Sequence, residues 1–188
     1  MKKHVTAVVV TYAMIDSALN NIAKLAFAMP NATIILVDNS PEKYKQLSVY
    51  KNAVTRLPVQ CTYIENRKNS RFIAYNLALQ SIRGGRVVFR TDDDEFDEAI
   101  TASIAKQEWN GFATTPHKFN GTLQQAKDHR RPIESCIFDY AFLQRLLPFK
   151  NEASADWQLL KHAYEAQRPK EYDDVILYKH GHGREIPA

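Results

Sequence analysis

The sequence predicts a single α/β domain in which helices cover both faces of a mostly parallel sheet. Three observations carry this prediction. A chain of 188 residues has no room for a second hydrophobic core. Strand and helix patterns alternate through its first half, which is typical of parallel strands joined by right-handed crossovers. The first two predicted strands are apolar on both faces, as central strands of such a sheet are.

The first half of the chain divides into four strands and three helices. Runs of β-branched and other apolar residues predict strands at residues 6–11, 33–37, 60–65 and 86–91. Apolar residues at helical spacing predict the helices between them. Ser17 is expected to cap the first helix, which ends near Met29, and Pro41 to open a short helix to about Lys51. The third helix covers residues 70–82 and ends before Gly84.

The second half is less regular. Helices are predicted at residues 96–107, 138–147 and 156–166, and strands at 111–115 and 173–178. Between them, the segment from Lys118 to Arg131 reads as a polar, basic loop, with Lys127 and Arg130 also basic and Asp128 its one acid. We expect residues 1–95 to bind the ligand and residues 96–188 to complete the site.

Polar side chains follow four of the predicted strands. They are Thr11 and Tyr12, then Asp38, then Asn66 with Arg67, and finally the acids Asp92, Asp93 and Asp94. The carboxyl ends of parallel strands meet at one edge of a sheet, where ligands bind in this class of fold. Together these strand ends predict a polar cleft.

The acids after the fourth strand predict a metal site. Asp92 and Asp94 are spaced so that both carboxylates can approach one ion, and Asp93 between them is a further candidate for ligand binding. Hard oxygen ligands suit Mg²⁺ or Mn²⁺, and such ions are commonly shared with a phosphate. The alternative is a solvated acidic turn that opens a helix.

The other candidates each have a structural alternative. Asp38 can accept a hydrogen bond from a base or a ribose, or can close an Asx turn onto Ser40. Arg67 and Arg71 flank a helix start and suit phosphate, or form a solvated basic turn.

Two further candidates lie near the end of the chain. His180 and His182 alternate along an extended segment, so both can face a metal, or they belong to a tail with incidental histidines. By itself, Asp156 reads as an ordinary acid at a helix start.

Missing motifs and the composition argue against several classes of protein. Neither a Gly-x-Gly-x-x-Gly loop nor a Walker loop occurs, which argues against a dinucleotide-binding fold and a P-loop enzyme. Cys61 and Cys136 form neither a metal cluster nor a disulfide framework. With neither of these cysteine patterns, a reducing, cytoplasmic setting is expected. No apolar stretch has the roughly 20 residues of a membrane span. The net charge of +4 and the pI near 9.0 are compatible with anionic ligands.

The order of these elements resembles the GT-A glycosyltransferases, most closely glycosyltransferase family 2, over nearly the whole chain. No single motif is decisive, but six occur in the right order. The segments that carry the resemblance are VVVTY at 8–12, ILVDNS at 35–40, ENR at 65–67, AYN at 74–76, FRTDDD at 89–94 and ADWQLL at 155–160, followed by the tail with its histidines.

The resemblance implies a GT-A fold and transfer of one sugar from a nucleoside-diphosphate sugar, with a UDP-sugar favoured. By position, Thr11, Tyr12 and Asp38 would bind the nucleotide base. Asp92 and Asp94 would bind Mn²⁺ or Mg²⁺ on the diphosphate, joined by His180 or His182. Asp156 would act as the base in an inverting displacement.

The chain departs from the family pattern in three places. Asn39 and Ala155 stand where the family usually has acids. The Gln-x-x-Arg-Trp motif of processive synthases is absent, which favours a single transfer.

The acceptor is not readable from the sequence. The basic loop permits a polyanion such as a modified base in DNA, and a glycan or a lipid carrier is the other expectation. Two alternative functions remain: a nucleotidyltransferase, and a non-catalytic module that binds nucleotide sugars. The sequence predicts neither the donor sugar nor the oligomeric state.

Overall fold

The computed structural model describes residues 3–45, 47–125 and 128–181, and these form a three-layer α/β domain. The strands are β1 (Val5–Thr11), β2 (Thr33–Asp38), β3 (Gln60–Glu65), β4 (Arg86–Thr91), β5 (Asp94–Phe96), β6 (Phe112–Thr114), β7 (His117–Phe119), β8 (Thr122–Gln124), β9 (Cys136–Asp139), β10 (Lys170–Glu171) and β11 (Leu177–Lys179). The helices are α1 (Ile15–Ala28), α2 (Leu47–Val54), α3 (Arg71–Leu79), α4 (Glu98–Ala105), α5 (Tyr140–Leu143) and α6 (Ala155–Ala166), with 3₁₀ turns at Glu42–Tyr44, Ile133–Ser135 and Gln144–Leu146.

Two sheets organise the described residues. The main sheet has the strand order β10-β6-β9-β4-β1-β2-β3, and its β4-β1-β2-β3 half is parallel throughout. Strand β9 runs antiparallel between β4 and β6. A second, smaller sheet has the order β5-β11-β7-β8. Its strand β5 follows β4 closely in the chain and pairs with β11. Residues 177–179 therefore lie beside the acids that follow β4.

The core lies on both faces of the main sheet because successive side chains of a strand point to opposite faces. On one face, Val8 and Val10 pack in a cluster with α3, α5 and α6. On the other, Ala7 and Val9 pack in a cluster with α1 and α4. This arrangement confirms the predicted sheet with helices on both faces. No helix among the described residues is long and apolar enough to cross a membrane.

The predictions for the first half are largely confirmed. Strand β4 has the predicted bounds, and the Ser70 hydroxyl caps α3 by accepting from the Ile73 N–H at 3.3 Å. One cap is wrong. Helix α1 begins at Ile15, so Ser17 lies inside its first turn and Met14 occupies the cap position without a side-chain bond.

The predictions for the second half are less accurate. Residues 136–139 form β9, where the sequence predicted a helix from residue 138, and the helix that follows is only α5. The basic loop contains the hairpin β7–β8. Strands β5 and β10 were not predicted, and the last strand is shorter than predicted. These strands have two to four residues, too few for periodicity to show, and they form because partners from distant parts of the chain pair with them.

Candidate active site

The ends of β1 and β4 are joined by a buried carboxylate. Asp92 accepts a hydrogen bond from the Thr11 hydroxyl at 2.8 Å and one from the Tyr12 N–H at 2.6 Å, both at its Oδ2. Thr11 and Asp92 are almost completely buried. Asp92 therefore holds the first strand end in place, and the structure brings these predicted site residues together.

Asp38, at the end of β2, is also held by the protein. Its Oδ1 accepts from the Ser40 N–H at 2.8 Å, which is the Asx turn that the sequence offered as the alternative. Its Oδ2 accepts from the Tyr63 hydroxyl at 2.5 Å. The residue is 1% exposed, so its contacts within the described residues are those of a structural turn.

Asn66 joins the end of β3 to this set. Its Nδ2 donates to the Asn39 Oδ1 at 2.7 Å and to the Lys68 carbonyl at 2.8 Å. The neighbouring Arg67 is exposed. We call the polar residues that join the four parallel strand ends the rim: Thr11, Asp38, Asn39, Asn66 and Asp92.

Beside the rim opens a cavity of about 880 Å³. Part of its lining comes from α3 and from the turn after β4, and the rest from the second half of the chain. The lining includes Arg71, Asp93, His117, Asp156, Trp157 and Lys179.

The three consecutive aspartates have three different environments. Asp92 is part of the rim. Asp93 is exposed and lines the cavity. Asp94 is buried, pairs with the Lys179 ammonium at 2.6 Å and accepts from the Thr91 hydroxyl at 2.9 Å. Burial raises the pKa of Asp94, and the charge of Lys179 opposes that rise.

This donor set suits an ion shared with a phosphate better than a metal centre made by protein alone. Among the described residues, no three His, Cys, Asp or Glu side chains lie close enough together to hold a metal. Mg²⁺ is usually bound by one or two carboxylates together with substrate phosphates. Asp93 is the carboxylate of the three that lines the cavity, whereas Asp92 accepts from Thr11 and Tyr12 and Asp94 pairs with Lys179. An Mn²⁺ or Mg²⁺ ion therefore fits here when a diphosphate supplies further oxygens.

Of the two predicted late histidines, His180 is not among the described residues that line the cavity. His180 is exposed, and its Nε2 lies 3.4 Å from the Glu95 carboxylate. The preceding residue, Lys179, lines the cavity instead. His182 lies outside the described residues, as does Lys127 of the basic loop.

Asp156 lies at the first turn of α6 and faces the cavity with 6% exposure. The Arg71 Nη2 donates to its Oδ2 at 3.1 Å, and the Trp157 N–H donates to its Oδ1 at 3.0 Å. Burial raises the pKa of Asp156 and Arg71 opposes that rise. A desolvated carboxylate that is aimed at a cavity and has a raised pKa can accept a proton from a bound hydroxyl group.

The sequence pattern did not indicate two residues that bear on the cavity: Glu134, which contacts the lining residue Arg71, and His117, which lines the cavity itself. Glu134, in the 3₁₀ turn before β9, is fully buried and accepts from Arg71. His117, on β7, is nine-tenths buried, and burial together with Lys179 and Arg131 lowers its pKa to about 4. Neither lies in a motif, and the short elements that carry them are the ones that periodicity missed.

Two arginines of the basic loop form contacts within the protein. Arg131 is buried and donates from its Nη1 to the Thr115 carbonyl at 3.2 Å. Arg130 is exposed and forms an ion pair with Asp128 at 2.9 Å. Arg130, Arg131 and Asp128 all line the cavity.

No protein-family model matches the chain, and no curated protein matches it. Solved structures do. TarS 1–349 from S. aureus, in complex with UDP-GlcNAc, matches with a TM-score of 0.75 and 18% identity over 98% of this chain and 60% of that chain. A mannosyltransferase from Pyrobaculum calidifontis, in complex with GDP-Man and Mn²⁺, matches with a TM-score of 0.69 and 18% identity over 95% of this chain and 57% of that chain.

A more distant likeness covers most of both chains. A protein from Bacillus anthracis described as a glucose-1-phosphate thymidylyltransferase matches with a TM-score of 0.56 and 11% identity, over 92% of this chain and 87% of that chain. At such identities the likenesses establish the fold alone, and they confirm the expected GT-A fold. The chain spans about 60% of the TarS 1–349 chain and of the mannosyltransferase chain.

Proposed function

We propose that this chain transfers a single sugar from a nucleoside-diphosphate sugar to an acceptor hydroxyl, with inversion at the anomeric carbon. One observation carries the proposal above the others. A buried carboxylate, Asp156, faces a cavity that Arg71, Lys179 and Asp93 also line, in a fold shared with glycosyltransferases. A base, two cations and a metal-binding acid around one cavity are the groups that such a transfer needs.

Asp156 is the base in this proposal. It takes the proton of the acceptor hydroxyl as that oxygen attacks the anomeric carbon from the side opposite the diphosphate. Its partner Arg71 keeps the carboxylate directed toward the cavity. Help of this kind is typically worth about 10²–10⁴-fold in rate.

The leaving diphosphate lies on the opposite side of the transferred sugar. In this proposal Lys179, which lines the same cavity, is the cation on the side of the diphosphate. Burial opposes its charge, but Glu134 and Asp94 together outweigh burial and raise the pKa of Lys179, so the charge is retained. A divalent ion bound beside Asp93 would neutralise the charge that develops on the diphosphate. The nucleotide would extend from there over the rim toward Tyr12, which is partly exposed.

UDP is the favoured nucleotide, because two of the matching TarS structures are complexes, one with UDP and one with UDP-GlcNAc. The acceptor would enter from the side of the second half of the chain. There Trp157 is 46% exposed and lies next to Asp156, so an acceptor ring packed on the indole would carry its hydroxyl to the base. This assigns donor binding to residues 1–95 and acceptor binding to residues 96–188, with Lys179 as an exception.

The proposal is tested by incubating the protein with UDP-sugars and other nucleotide sugars in the presence of Mn²⁺. We expect release of the nucleoside diphosphate, measured by coupled assay, and a rise in melting temperature with the true donor. The control is Asp156→Asn, which should bind the donor and release almost no diphosphate. Binding of nucleotide sugars without turnover by the wild type would indicate a non-catalytic module instead.

The metal role is tested separately through Asp93 and Asp94. We expect Asp93→Asn to weaken Mn²⁺-dependent donor binding on the order of tenfold, about 1.4 kcal/mol, with little change in melting temperature. Asp94→Asn should lower the melting temperature, since it leaves Lys179 without its buried partner. Unchanged Mn²⁺ dependence in Asp93→Asn would remove this residue from the metal site.

A nucleotidyltransferase is the second candidate, favoured by the likeness to the thymidylyltransferase. The two reactions differ in their product. Sugar transfer releases a nucleoside diphosphate, whereas nucleotidyl transfer from a nucleoside triphosphate to a sugar phosphate releases pyrophosphate. Pyrophosphate formation from a nucleoside triphosphate and a sugar phosphate would therefore replace the first proposal by the second.

A further inference from the structure

Glu134 is a buried carboxylate that does not line the cavity but contacts Arg71, which does. It is 0% exposed. Its Oε1 accepts from the Arg71 Nη1 at 3.1 Å and from the Tyr75 hydroxyl at 2.8 Å. Its Oε2 is buried and has no hydrogen-bond partner among the described residues. Leaving a buried charged oxygen unsatisfied costs stability, so a neutral side chain would serve the fold better.

The contact between Glu134 and Arg71 leads to the base. The guanidinium of Arg71 lies between two carboxylates, with Nη1 on Glu134 and Nη2 on Asp156, both at 3.1 Å. A planar guanidinium has the fork geometry to hold two carboxylates at once. Arg71 and Glu134 thus form a chain of contacts that ends at the carboxylate facing the cavity.

Glu134 also changes the electrostatics of that carboxylate. With Arg71 alone beside it, Asp156 would be held as a stable, weakly basic anion. Glu134 takes a share of the Arg71 charge and repels a negative charge on Asp156. Burial by itself would raise the pKa of Glu134, but Arg71 and Lys179 bring it below its ordinary value, so the residue is ionised at neutral pH.

We propose that Glu134 is a positioning residue of this site, which through Arg71 holds Asp156 toward the cavity and keeps it a competent base. The inference rests on the proposed function. Besides Arg71 and Glu134, the groups that act electrostatically with Asp156 include Tyr75 on α3 and Cys136 on β9, both neutral at working pH because burial raises their pKa values. The charged and titratable groups that share the cavity with it are Asp93, His117, Asp128, Arg130, Arg131 and Lys179.

The experiment compares the pH dependence of kcat in the wild type and in Glu134→Gln. The amide keeps the shape and can still accept from Arg71, but it removes the charge. We expect the acidic limb to move to lower pH, because Asp156 then feels the full charge of Arg71. The plateau kcat should fall on the order of tenfold, less than the loss of about 10²–10⁴-fold for removal of a base. The donor KM should be unchanged.

Tyr75→Phe is the matched control. It removes the other hydrogen bond to the same Glu134 oxygen and leaves every charge of the cluster in place. The acidic limb should stay where it is in the wild type. An acidic limb that is unmoved in Glu134→Gln, with a fall in kcat no different from that of Tyr75→Phe, would reduce Glu134 to a structural role.

A second variant keeps the test valid if Glu134→Gln does not fold. Arg71→Lys retains the charge but lacks the fork, so it can hold Glu134 or Asp156 but not both. Because Glu134 is the more deeply buried of the two carboxylates, it should keep the substituted ammonium group. Asp156 then loses its partner, and the acidic limb should move to higher pH. If the acidic limb of the kcat profile does not move in Arg71→Lys, the proposal that Arg71 couples Glu134 to Asp156 is wrong.

Failure of the proposed function would look different, since the wild type would then turn over no nucleotide sugar. In that case the Asp156 carboxyl group is titrated directly by ¹³C NMR. We expect its pKa to fall in Glu134→Gln and to stay unchanged in Tyr75→Phe. Equal values in the wild type and in Glu134→Gln would refute the inference without reference to activity.

Discussion

The rim and the cavity lie side by side but are built differently. In the rim, polar groups form hydrogen bonds with one another. Asp92 accepts from the Thr11 hydroxyl and the Tyr12 N–H, and Asp38 accepts from the Ser40 N–H and the Tyr63 hydroxyl. Around the cavity, the lining residue Arg71 pairs with the buried carboxylates of Asp156 and Glu134, and Oε2 of Glu134 has no hydrogen-bond partner among the described residues. The rim therefore stabilises the sheet edge, whereas the cavity holds charge at some cost to stability. Substitutions in the rim should change stability, and substitutions in the cavity should change chemistry.

The largest effect is expected in the cavity. Asp156→Asn should lower kcat by about 10²–10⁴-fold, because the amide cannot take up the acceptor proton. The melting temperature should stay close to that of the wild type, since burial disfavours the charge that the variant removes. Nucleotide-sugar turnover and thermal unfolding of the same preparations measure both. A large loss of stability in Asp156→Asn would show that Asp156, like the rim residues, mainly stabilises the fold.

The next effect tests the rim. Asp92→Ala leaves the buried Thr11 hydroxyl and the Tyr12 N–H without their acceptor, so we expect a loss of about 4 kcal/mol in unfolding free energy, at roughly 1–3 kcal/mol for each group. Urea denaturation measures it. The control is Asp93→Ala, which changes an exposed acid next to it and should alter stability by less than about 0.5 kcal/mol. Equal losses in the two variants would contradict the division between rim and cavity.

A third prediction uses pH. The pKa of His117 is about 4 in the folded protein and 6.5 as the ordinary value, so the unfolded chain binds more protons between these pH values. The stability associated with neutral His117 is therefore present above pH 6.5 and is lost as pH falls toward 4. The loss should reach at most about 3 kcal/mol.

Denaturation of the wild type and of His117→Gln at pH 7 and at a pH of about 4.5 isolates this contribution, since these values bracket most of the titration. The variant should lose less stability than the wild type over the same range. If both lose the same amount, the acid sensitivity comes from other groups, and the burial of His117 carries no electrostatic cost.

The smallest effect is expected for Arg67. Its side chain is exposed, so Arg67→Ala should change the unfolding free energy by less than about 0.5 kcal/mol. If Arg67 attracts the anionic donor to the rim, the donor Kd should rise a few-fold at low salt and approach the wild-type value in high salt. Lys179→Ala is the contrasting variant, since it removes the cation that the proposal places on the diphosphate side of the cavity. A larger effect on donor Kd for Arg67→Ala than for Lys179→Ala would move donor binding away from the cavity.

The sequence was most informative where neighbouring parts of the chain form the structure. Strands β1 to β4 are continuous runs of six or seven residues that end in polar groups, and each was found close to its true bounds. The sequence therefore predicted that Thr11, Asp38, Asn66 and Asp92 would meet. Parallel strands bring their carboxyl ends to one edge whatever the details of packing.

The sequence could not separate the roles of consecutive acids. The sequence does not distinguish the three consecutive aspartates. In the structure, Asp92 joins two strand ends, Asp93 lines the cavity and Asp94 pairs with Lys179. Which carboxylate faces the cavity depends on how the turn after β4 enters β5, and β5 exists because β11 pairs with it from a distant part of the chain.

By itself, the sequence determined the α/β architecture and the polar edge of the sheet, because local apolar periodicity carries that information, and its resemblance to a known family nominated Asp156 as the base. The tertiary structure alone decided that Arg71 bridges Asp156 to Glu134, that Lys179 rather than His180 lines the cavity, and that His117 is buried there. The two Arg71 contacts join residues 63 and 85 positions apart, and the others depend on the pairing of strands of only three residues. Contacts of this kind follow from packing and charge pairing in the folded chain, and no local pattern encodes them.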